Sequence, residues 1–395
     1  MSHCILYLAS ILLISSSLSS QLSSAFECIN ELGKPVDSWV IIKKPKGTEY
    51  FYYDSYNKLF NTSPISLNDT LSGALTYTIK QLWSDKEKYE SNHNTNYVIY
   101  NDQIPKLDTY EYNIFDDNYN DNYNNNDILQ EDYATSYGHT KGLFAFDDIN
   151  NNGFWITHSF PLFPLGPKDT NEYKGLGSNT FTYAQNALCL SVSATTINNM
   201  ANKFLLNRPQ IYDYKITPDK GKGKGKGKGK DKYKYENIKR LVDGEYSKVK
   251  LCDSTVLETQ EGMRFILYSK SAEWNNDLYS ECVTPSQQET LLVETWIRGS
   301  AIGPNCPLSN YDTLDVKYLD FIVDGSSNTI YSSDSWSETQ DHSKWAITEN
   351  KNIICMGDIN RMTTQYLRGG GTACFEDKIL HSIFKTAITK SNECN

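Results

Sequence analysis

The spacing of apolar and polar residues along the chain predicts both strands and helices. Apolar or β-branched runs predict strands at 39–43, 49–53, 98–100, 142–146, 154–158 and 353–356. The first two runs flank the turn residues at 45–47 and therefore predict a hairpin. Helical spacing predicts helices at 71–83, in the second half of 186–204, and at 375–389.

Three segments are predicted to lie outside this folded pattern. Residues 1–25 resemble a secretory signal peptide, with an apolar run at 5–14 that is too short to span a membrane. Residues 115–132 are rich in Asn, Asp and Tyr and predict a disordered surface insertion. Residues 220–235 contain a Gly-Lys repeat, for which a flexible loop is the simpler interpretation than a basic DNA tether.

The cysteine count supports an oxidising compartment. Nine cysteines minus Cys4 of the signal leave eight, widely spaced and without a CxxC pair, which favours disulfides over a zinc site. Asn61 and Asn68 begin N-glycosylation sequons, which are useful only in a secretory protein. The net charge of −10 opposes nucleic-acid binding at neutral pH, but the repulsion falls in acid.

Two short motifs carry the candidate chemistry, each with a histidine two residues before a lysine. His139 and Lys141 form the first pair, and His342 and Lys344 form the second. On a strand, residues i and i+2 share a face, so each pair places an imidazole beside an ammonium group. If both pairs meet, one imidazole can attack a phosphodiester, the other can protonate the leaving oxygen, and the lysines can hold the phosphate.

This chemistry requires no metal, and no metal-binding motif is visible in the sequence. Two remaining histidines, His93 and His381, are expected to be structural or solvated. One catalytic histidine must be neutral and the other charged. With an unperturbed histidine pKa of about 6.5, a mildly acidic optimum is expected.

Longer motifs give the chain a family resemblance. These motifs are KPVD at 34–37, GHTKG at 138–142, GFWITHSFPLFP at 153–164, NALCLS at 186–191, DHSKW at 341–345, MGDINR at 356–361 and RGGGTAC at 368–374. Together they resemble the deoxyribonuclease II family. The resemblance implies an α+β fold like that of phospholipase D, with two pseudo-symmetric lobes at 26–219 and 236–395. It implies acid, metal-independent cleavage of DNA to 3′-phosphate ends, in the lysosome or after secretion, without a cofactor.

The resemblance also implies roles for individual residues. The two His-x-Lys pairs correspond to the catalytic set, and four further residues are candidates for phosphate binding or support: His158, Asn360, Asp147 and Asp358. It implies the disulfides Cys28–Cys189, Cys306–Cys394 and Cys355–Cys374, which leaves Cys252 to pair with Cys282. Which histidine attacks stays open, as do DNA against RNA preference and oligomeric state. A lipid hydrolase and an inactive nucleic-acid-binding protein are the alternatives.

Overall fold

A computed structural model describes residues 26–83, 95–105, 136–218, 233–307, 311–323 and 332–394. The predicted signal peptide, His93, the 115–132 insertion and most of the Gly-Lys segment lie outside these residues. Within them the fold is a mixture of helices and strands, which confirms the predicted α+β class.

Ten strands belong to the first part of the chain: β1 (Cys28–Ile29), β2 (Pro35–Val36), β3 (Ser38–Lys43), β4 (Tyr50–Asp54), β5 (Asn61–Thr62), β6 (Thr95–Asn101), β7 (Lys141–Asp147), β8 (Asn152–His158), β9 (Gln185–Val192) and β10 (Ile211–Lys215). β1 and β2 pair with each other, and the other eight form one sheet in the order β10-β6-β7-β8-β9-β3-β4-β5. The predicted hairpin is confirmed, since β3 pairs antiparallel with β4.

Nine strands belong to the second part: β11 (Cys252–Glu258), β12 (Arg264–Lys270), β13 (Leu291–Glu294), β14 (Thr313–Val323), β15 (Ser332–Ser337), β16 (Trp345–Thr348), β17 (Ile353–Gly357), β18 (Gly370–Glu376) and β19 (Ile388–Ser391). Eight of them follow the order β11-β12-β18-β17-β16-β13-β14-β15, and β19 pairs with β14. The strands of the two large sheets therefore come from separate parts of the sequence.

The described helices are α1 (Ala74–Lys80), α2 (Ala194–Asn207), α3 (Glu236–Val242), α4 (Thr284–Gln287) and α5 (Lys378–Ala387). Single 3₁₀ turns lie at Gln81–Trp83, Ser178–Phe181, Ala272–Trp274, Glu338–Gln340 and Thr363–Gln365, and a π-helical turn lies at Tyr279–Val283. None of the described helices combines the length and apolarity that a membrane crossing requires.

The largest apolar core lies between the two sheets and includes side chains of both. Phe204 of α2 packs against Trp155 of the first sheet, with ring centroids 5.8 Å apart. Phe384 of α5 packs edge-on against Trp345 of the second sheet, with ring centroids 4.8 Å apart. Since burial of each such side chain contributes about 1.5–3 kcal/mol, this shared core stabilises the docked sheets.

Both sheets are buried on their outer faces as well. α1 contributes to an apolar cluster on the first sheet, and the turn at 279–283 contributes to one on the second. Strands buried on both faces need apolar residues at successive positions, which explains the uninterrupted apolar runs in β3 and β7.

Two predicted helices have different ends in the structure. The helix predicted at 71–83 begins at Ala74, because Leu71 is 76% exposed and belongs to a turn organised by Asp69. The helix predicted at 375–389 is shorter. Phe375 pairs with Phe265 in the sheet, and Asp377 caps α5 by accepting hydrogen bonds from the next backbone amides.

Candidate active site

Strand ends from both sheets meet at one place. β6 and β8 end there and β7 begins there in the first sheet, while β17 ends and β16 begins there in the second. We call the part of the chain that forms β1–β10 the first half and the part that forms β11–β19 the second half. The two halves are in direct contact at this point. The backbone amide of His139 donates to the Gly369 carbonyl over 2.8 Å, and the amide of His342 donates to the Ala184 carbonyl over 2.9 Å.

Close packing of the backbone around Gly138 fixes the position of the first histidine motif, His139 with Lys141. Gly138, which precedes His139, has room for no side chain, because a Cβ there would lie 2.0 Å from the carbonyl oxygen of Asn207. This contact holds the chain between α2 and the loop before β18. Lys141 then begins β7, directly opposite Asn101 in the register with β6.

Lys141 is buried and forms an ion pair with Asp102, one residue beyond the end of β6. Arg368 crosses from the second half and donates to the same carboxylate over 3.0 Å. Burial alone would raise the pKa of Asp102, but Lys141, His139 and Arg368 outweigh it and hold the pKa well below its usual range. Asp102 is therefore a permanent anion that neutralises Lys141.

The ring of His139 has a defined orientation. Its Nδ1 lies 2.5 Å from the carbonyl oxygen of Asp358, and a carbonyl can only accept, so Nδ1 carries the proton. Nε2 lies 3.8 Å from Asp102. Burial, together with the charges of Lys141 and Arg368, lowers the pKa of His139 well below its usual value although Asp102 opposes them. The neutral ring therefore carries its lone pair on Nε2.

Aromatic stacking holds the second histidine. The ring of His342 lies parallel to Tyr183 of the first half at 3.9 Å between centroids, and Trp296 lies tilted against it at 4.2 Å. Burial first, and then the charges of Lys344 and Lys141, lower the pKa of His342 to about 2. The sequence-based assumption of an unperturbed histidine pKa therefore does not hold for His342.

Lys344 is buried, and its ammonium group donates to the carbonyl of His342. No carboxylate of the described residues lies within ion-pair distance of it, in contrast to Lys141 with Asp102. Burial and the charge of Lys141 lower the pKa of Lys344 to about 7. A buried cation without a counter-ion is costly, so this position favours an anionic ligand.

Asp358, a predicted support residue, joins the two motifs. Its carboxylate accepts from the backbone amides of Gly371 (3.1 Å) and Lys141 (3.4 Å). Burial raises the pKa of Asp358 to about 7, although these contacts and the charge of Lys141 oppose the shift. Lys344 and Asp358 therefore both change charge near neutrality.

His158 ends β8 and is fully buried against Phe163, with ring centroids 3.9 Å apart. Neither ring nitrogen of His158 makes a well-aligned hydrogen bond to another described group. The backbone of Phe160 lies close enough to favour the protonated form of the His158 ring slightly. Burial and the nearby charge of Lys141 lower the pKa of His158 well below its usual value. Asn360 is also buried, and its side-chain oxygen has no partner among the described groups.

The structure does not bring Asp147 to this cluster. It ends β7, six residues beyond Lys141, so the two are roughly 20 Å apart along the strand. Its carboxylate accepts from the Ile149 amide (2.8 Å) and the Asn150 side chain (2.6 Å) and so organises the hairpin turn. Of the remaining histidines, His381 packs in α5 and contacts the Thr348 carbonyl over 2.7 Å, outside the cluster.

Four residues that the sequence analysis did not single out belong to the cluster. Asp102 and Arg368 neutralise and orient Lys141, Tyr183 stacks on His342, and the side-chain oxygen of Asn186 accepts from the Lys344 amide at 2.8 Å. The amide nitrogen of Asn186 is buried without a partner among the described groups, and so it is available to an acceptor in the site. Asp102 follows a predicted strand, and Asn186 and Arg368 lie within the quoted motifs, whereas no feature of the sequence marked Tyr183.

Two buried lysines hold the loops that cross between the halves. Lys43 donates to the carbonyls of Gly47 (2.9 Å) and Phe181 (3.0 Å), just before Tyr183. Lys270 donates to the carbonyls of Tyr366 (3.0 Å) and Arg368 (2.6 Å). Each sheet thus anchors the loop that contacts the histidine motif of the other.

The cysteines form the disulfides Cys28–Cys189, Cys252–Cys282, Cys306–Cys394 and Cys355–Cys374, the pairings given in the sequence analysis. Asp312 lies near Cys306 and Cys394, but these two sulfurs are already bonded to each other and are not free metal ligands. Asn61 and Asn68, the sequon residues, are both exposed.

The sequence was compared with protein families and with known proteins. The sequence model described as Deoxyribonuclease II matches residues 27–394. Deoxyribonuclease-2 of Caenorhabditis elegans is 30% identical over 389 residues, covering 94% of this chain and 95% of that protein. A putative deoxyribonuclease-2 of Burkholderia thailandensis is 32% identical over 363 residues, covering 88% of each, and deoxyribonuclease-2-beta of Homo sapiens is 28% identical over 388 residues, covering 94% and 92%. With a match that includes both histidine motifs, the chain belongs to the deoxyribonuclease II family of nucleases.

Proposed function

We propose that this protein is an acid endodeoxyribonuclease, active in the lysosome or outside the cell, that cleaves DNA to 3′-phosphate ends without a metal ion. The observation that carries the proposal is the buried ammonium group of Lys344, which has no described carboxylate within ion-pair distance and lies close enough to His342 to lower the pKa of its imidazole. A phosphodiester is a monoanion that would supply the missing counter-charge. The four disulfides fit an oxidising compartment.

In this proposal His139 is the nucleophile, because its Nδ1 proton is held by the Asp358 carbonyl and its Nε2 lone pair is free to attack. The Nε2–P bond forms while the bond from phosphorus to the 5′-oxygen breaks, and His342 protonates that oxygen. His342 then removes a proton from water. The water oxygen bonds to phosphorus as the N–P bond breaks, which releases a 3′-phosphate.

His342 can act as the acid only if it carries a proton, and its burial and the neighbouring cations disfavour that charge. A bound phosphodiester brings a negative charge next to Lys344 and so reverses part of the repulsion that His342 experiences. Substrate and proton are therefore expected to bind together. This coupling supports an acidic optimum without an ordinary histidine pKa in the free protein.

The direct test is plasmid nicking at pH 5 by the purified protein in excess EDTA. We expect nicking to continue, because the proposed nucleophile, acid and phosphate ligands are all side chains of the protein. The new ends should resist ligation until the 3′-phosphate is removed and the 5′-hydroxyl is phosphorylated. Loss of nicking in EDTA with recovery in magnesium would contradict the mechanism, and cleavage of phosphatidylcholine but not plasmid would favour a lipid hydrolase.

A second prediction concerns the pH dependence of substrate binding. As pH rises through about 7, Lys344 loses a proton and becomes neutral, while Asp358 loses one and becomes negative. Both changes remove positive charge from the site. The KM for a small chromogenic phosphodiester should therefore rise by about 10- to 100-fold between pH 5 and 8, the scale of a lost hydrogen bond to a charged group.

The control variant is Asp358→Asn, which keeps this side chain neutral at every pH. Its KM should rise less steeply above pH 7 than that of the unchanged protein, because only Lys344 still titrates there. An identical KM profile in the variant would show that Asp358 does not govern phosphate binding.

A further inference from the structure

A cationic and aromatic surface lies beside the first histidine motif. The guanidinium carbon of Arg208 lies over the rings of Tyr246, at 4.0 Å, and Tyr137, at 5.2 Å. The ammonium of Lys248 lies 5.5 Å from the centre of the Tyr246 ring. Arg208, Tyr137 and Tyr246 are partly exposed and Lys248 is exposed. We call these four residues the Arg208 surface.

The positive charge of this surface is not neutralised locally. Among the described residues, no carboxylate lies within ion-pair distance of Arg208 or Lys248, whereas nearby Lys203 is paired with Asp253 and Arg240 with Glu245. In a chain with a net charge of −10, neighbouring unpaired cations indicate a place where an anion can bind.

Backbone contacts connect the Arg208 surface to the active site. The Gly138 amide donates to the Arg208 carbonyl over 2.9 Å, and His139 is the next residue. In the sheet, Arg208 precedes β10, and β10 is separated from β7 by β6 alone. Two strand spacings correspond to roughly 10 Å, so the Arg208 surface begins about that far from Lys141.

The second half of the chain contributes Lys248 to the Arg208 surface, and the pairing of its strands shows that Lys248 is also near the active site. Lys248 lies just before β11, whose first residue, Cys252, is opposite Lys270, and Lys270 is opposite Gly370. Gly370 follows the glycine whose carbonyl accepts from the His139 amide. The Arg208 surface is therefore at the same end of both sheets as the histidine motifs.

We infer that the Arg208 surface binds the DNA strand about three nucleotides from the phosphodiester that is cleaved, an inference that rests on the proposed nuclease function. The spacing follows from roughly 10 Å of distance and a rise of about 3.4 Å per nucleotide. A stacked guanidinium keeps its N–H donors in the ring plane and available to a phosphate, while tyrosine faces can stack on bases.

The test compares the unchanged protein with Arg208→Ala/Lys248→Ala on two substrates at pH 5. For a long oligonucleotide, the double variant should show a KM raised at least about tenfold. The slope of log KM against log salt should fall by about 1.4–1.8, the value for two lost phosphate contacts. For a small chromogenic phosphodiester, which cannot reach the Arg208 surface, both kinetic constants should stay unchanged.

Two further variants separate binding from folding and from general charge. Arg208 also contacts two aromatic rings, so its replacement could disturb local packing. Lys248→Ala/Lys250→Ala removes only exposed lysines and should still weaken binding of the long substrate. Lys168→Ala removes a lysine that lies 4.4 Å from the ring of Tyr214 but is paired with Asp213, and it should leave the KM unchanged.

Substrate length gives an independent measurement. Oligonucleotides with one to six nucleotides on either side of a single cleavable linkage should bind the unchanged protein more tightly once one flank reaches about three. The double variant should lack this gain. An unchanged KM and salt slope in the double variant would overturn the Arg208 surface and leave the nuclease proposal standing. Cleavage of the chromogenic diester without cleavage of DNA would overturn the nuclease proposal itself.

Discussion

His139→Ala and His342→Ala should each reduce DNA cleavage at pH 5 by at least ~100-fold, the scale of a lost acid–base group. The nucleophile variant His139→Ala should lose more. The double variant should be little worse than the worse single variant, because the two side chains act in one unit. As a control, His381→Ala removes a histidine outside the cluster and should cleave DNA at nearly the normal rate.

The two single variants should also differ in the reaction step that they can complete. With a diester whose leaving group needs no proton, His342→Ala can complete the first step and lacks only the base for the second. It should therefore release a burst of leaving group and accumulate a peptide in which His139 carries the phosphorus with the remaining ester group of the substrate, detectable by mass spectrometry. A phosphorylated peptide containing His342, found in the His139→Ala protein, would reverse the assignment of roles.

Replacement of Asp102 with alanine should lower the free energy of unfolding by about 3–5 kcal/mol, because it leaves buried cations without their counter-ion. Asp102 is the shared partner of Lys141 and Arg368, which come from different halves of the chain. Urea unfolding of the purified protein measures the change. Activity should fall together with stability, because Lys141 loses its orientation.

Asp253→Ala is the matched control, since it also breaks an ion pair with a lysine, Lys203, but the Asp253 side chain is 49% exposed whereas that of Asp102 is 5% exposed. A surface pair contributes about 0–1 kcal/mol, so this variant should be nearly as stable as the unchanged protein. Equal stability of the Asp102 and Asp253 variants would show that the buried network contributes little to folding.

Some of the site could be predicted because its signal is local in sequence. His139 with Lys141 and His342 with Lys344 are each two residues apart, and each motif adjoins a run that can be recognised as a buried strand. The hairpin of β3 and β4 and the α+β class follow from equally local patterns. The family was recognisable from several motifs in a constant order, and the comparisons confirm it.

What escaped prediction depends on contacts between distant residues. Asp102 and Arg368 are 266 residues apart, and only the docking of the two sheets brings them together. The contact of Tyr183 with His342 has the same origin. The family resemblance also predicted that Asp147 supports phosphate binding. Asp147 is instead at the far end of β7, seven residues long, from Lys141. The pKa of His342 was unpredictable because burial and charges from both halves determine it.

The crossing of the two lysine-anchored loops has a consequence for when the protein becomes active. Each of the four disulfides joins cysteines of the same half, so none of these bonds links one half to the other. Yet Tyr183 reaches His342, and Arg368 reaches Asp102, only after the halves dock. A newly made chain should thus be unable to cut DNA until its halves have docked, so that its activity is a measure of docking rather than of disulfide formation.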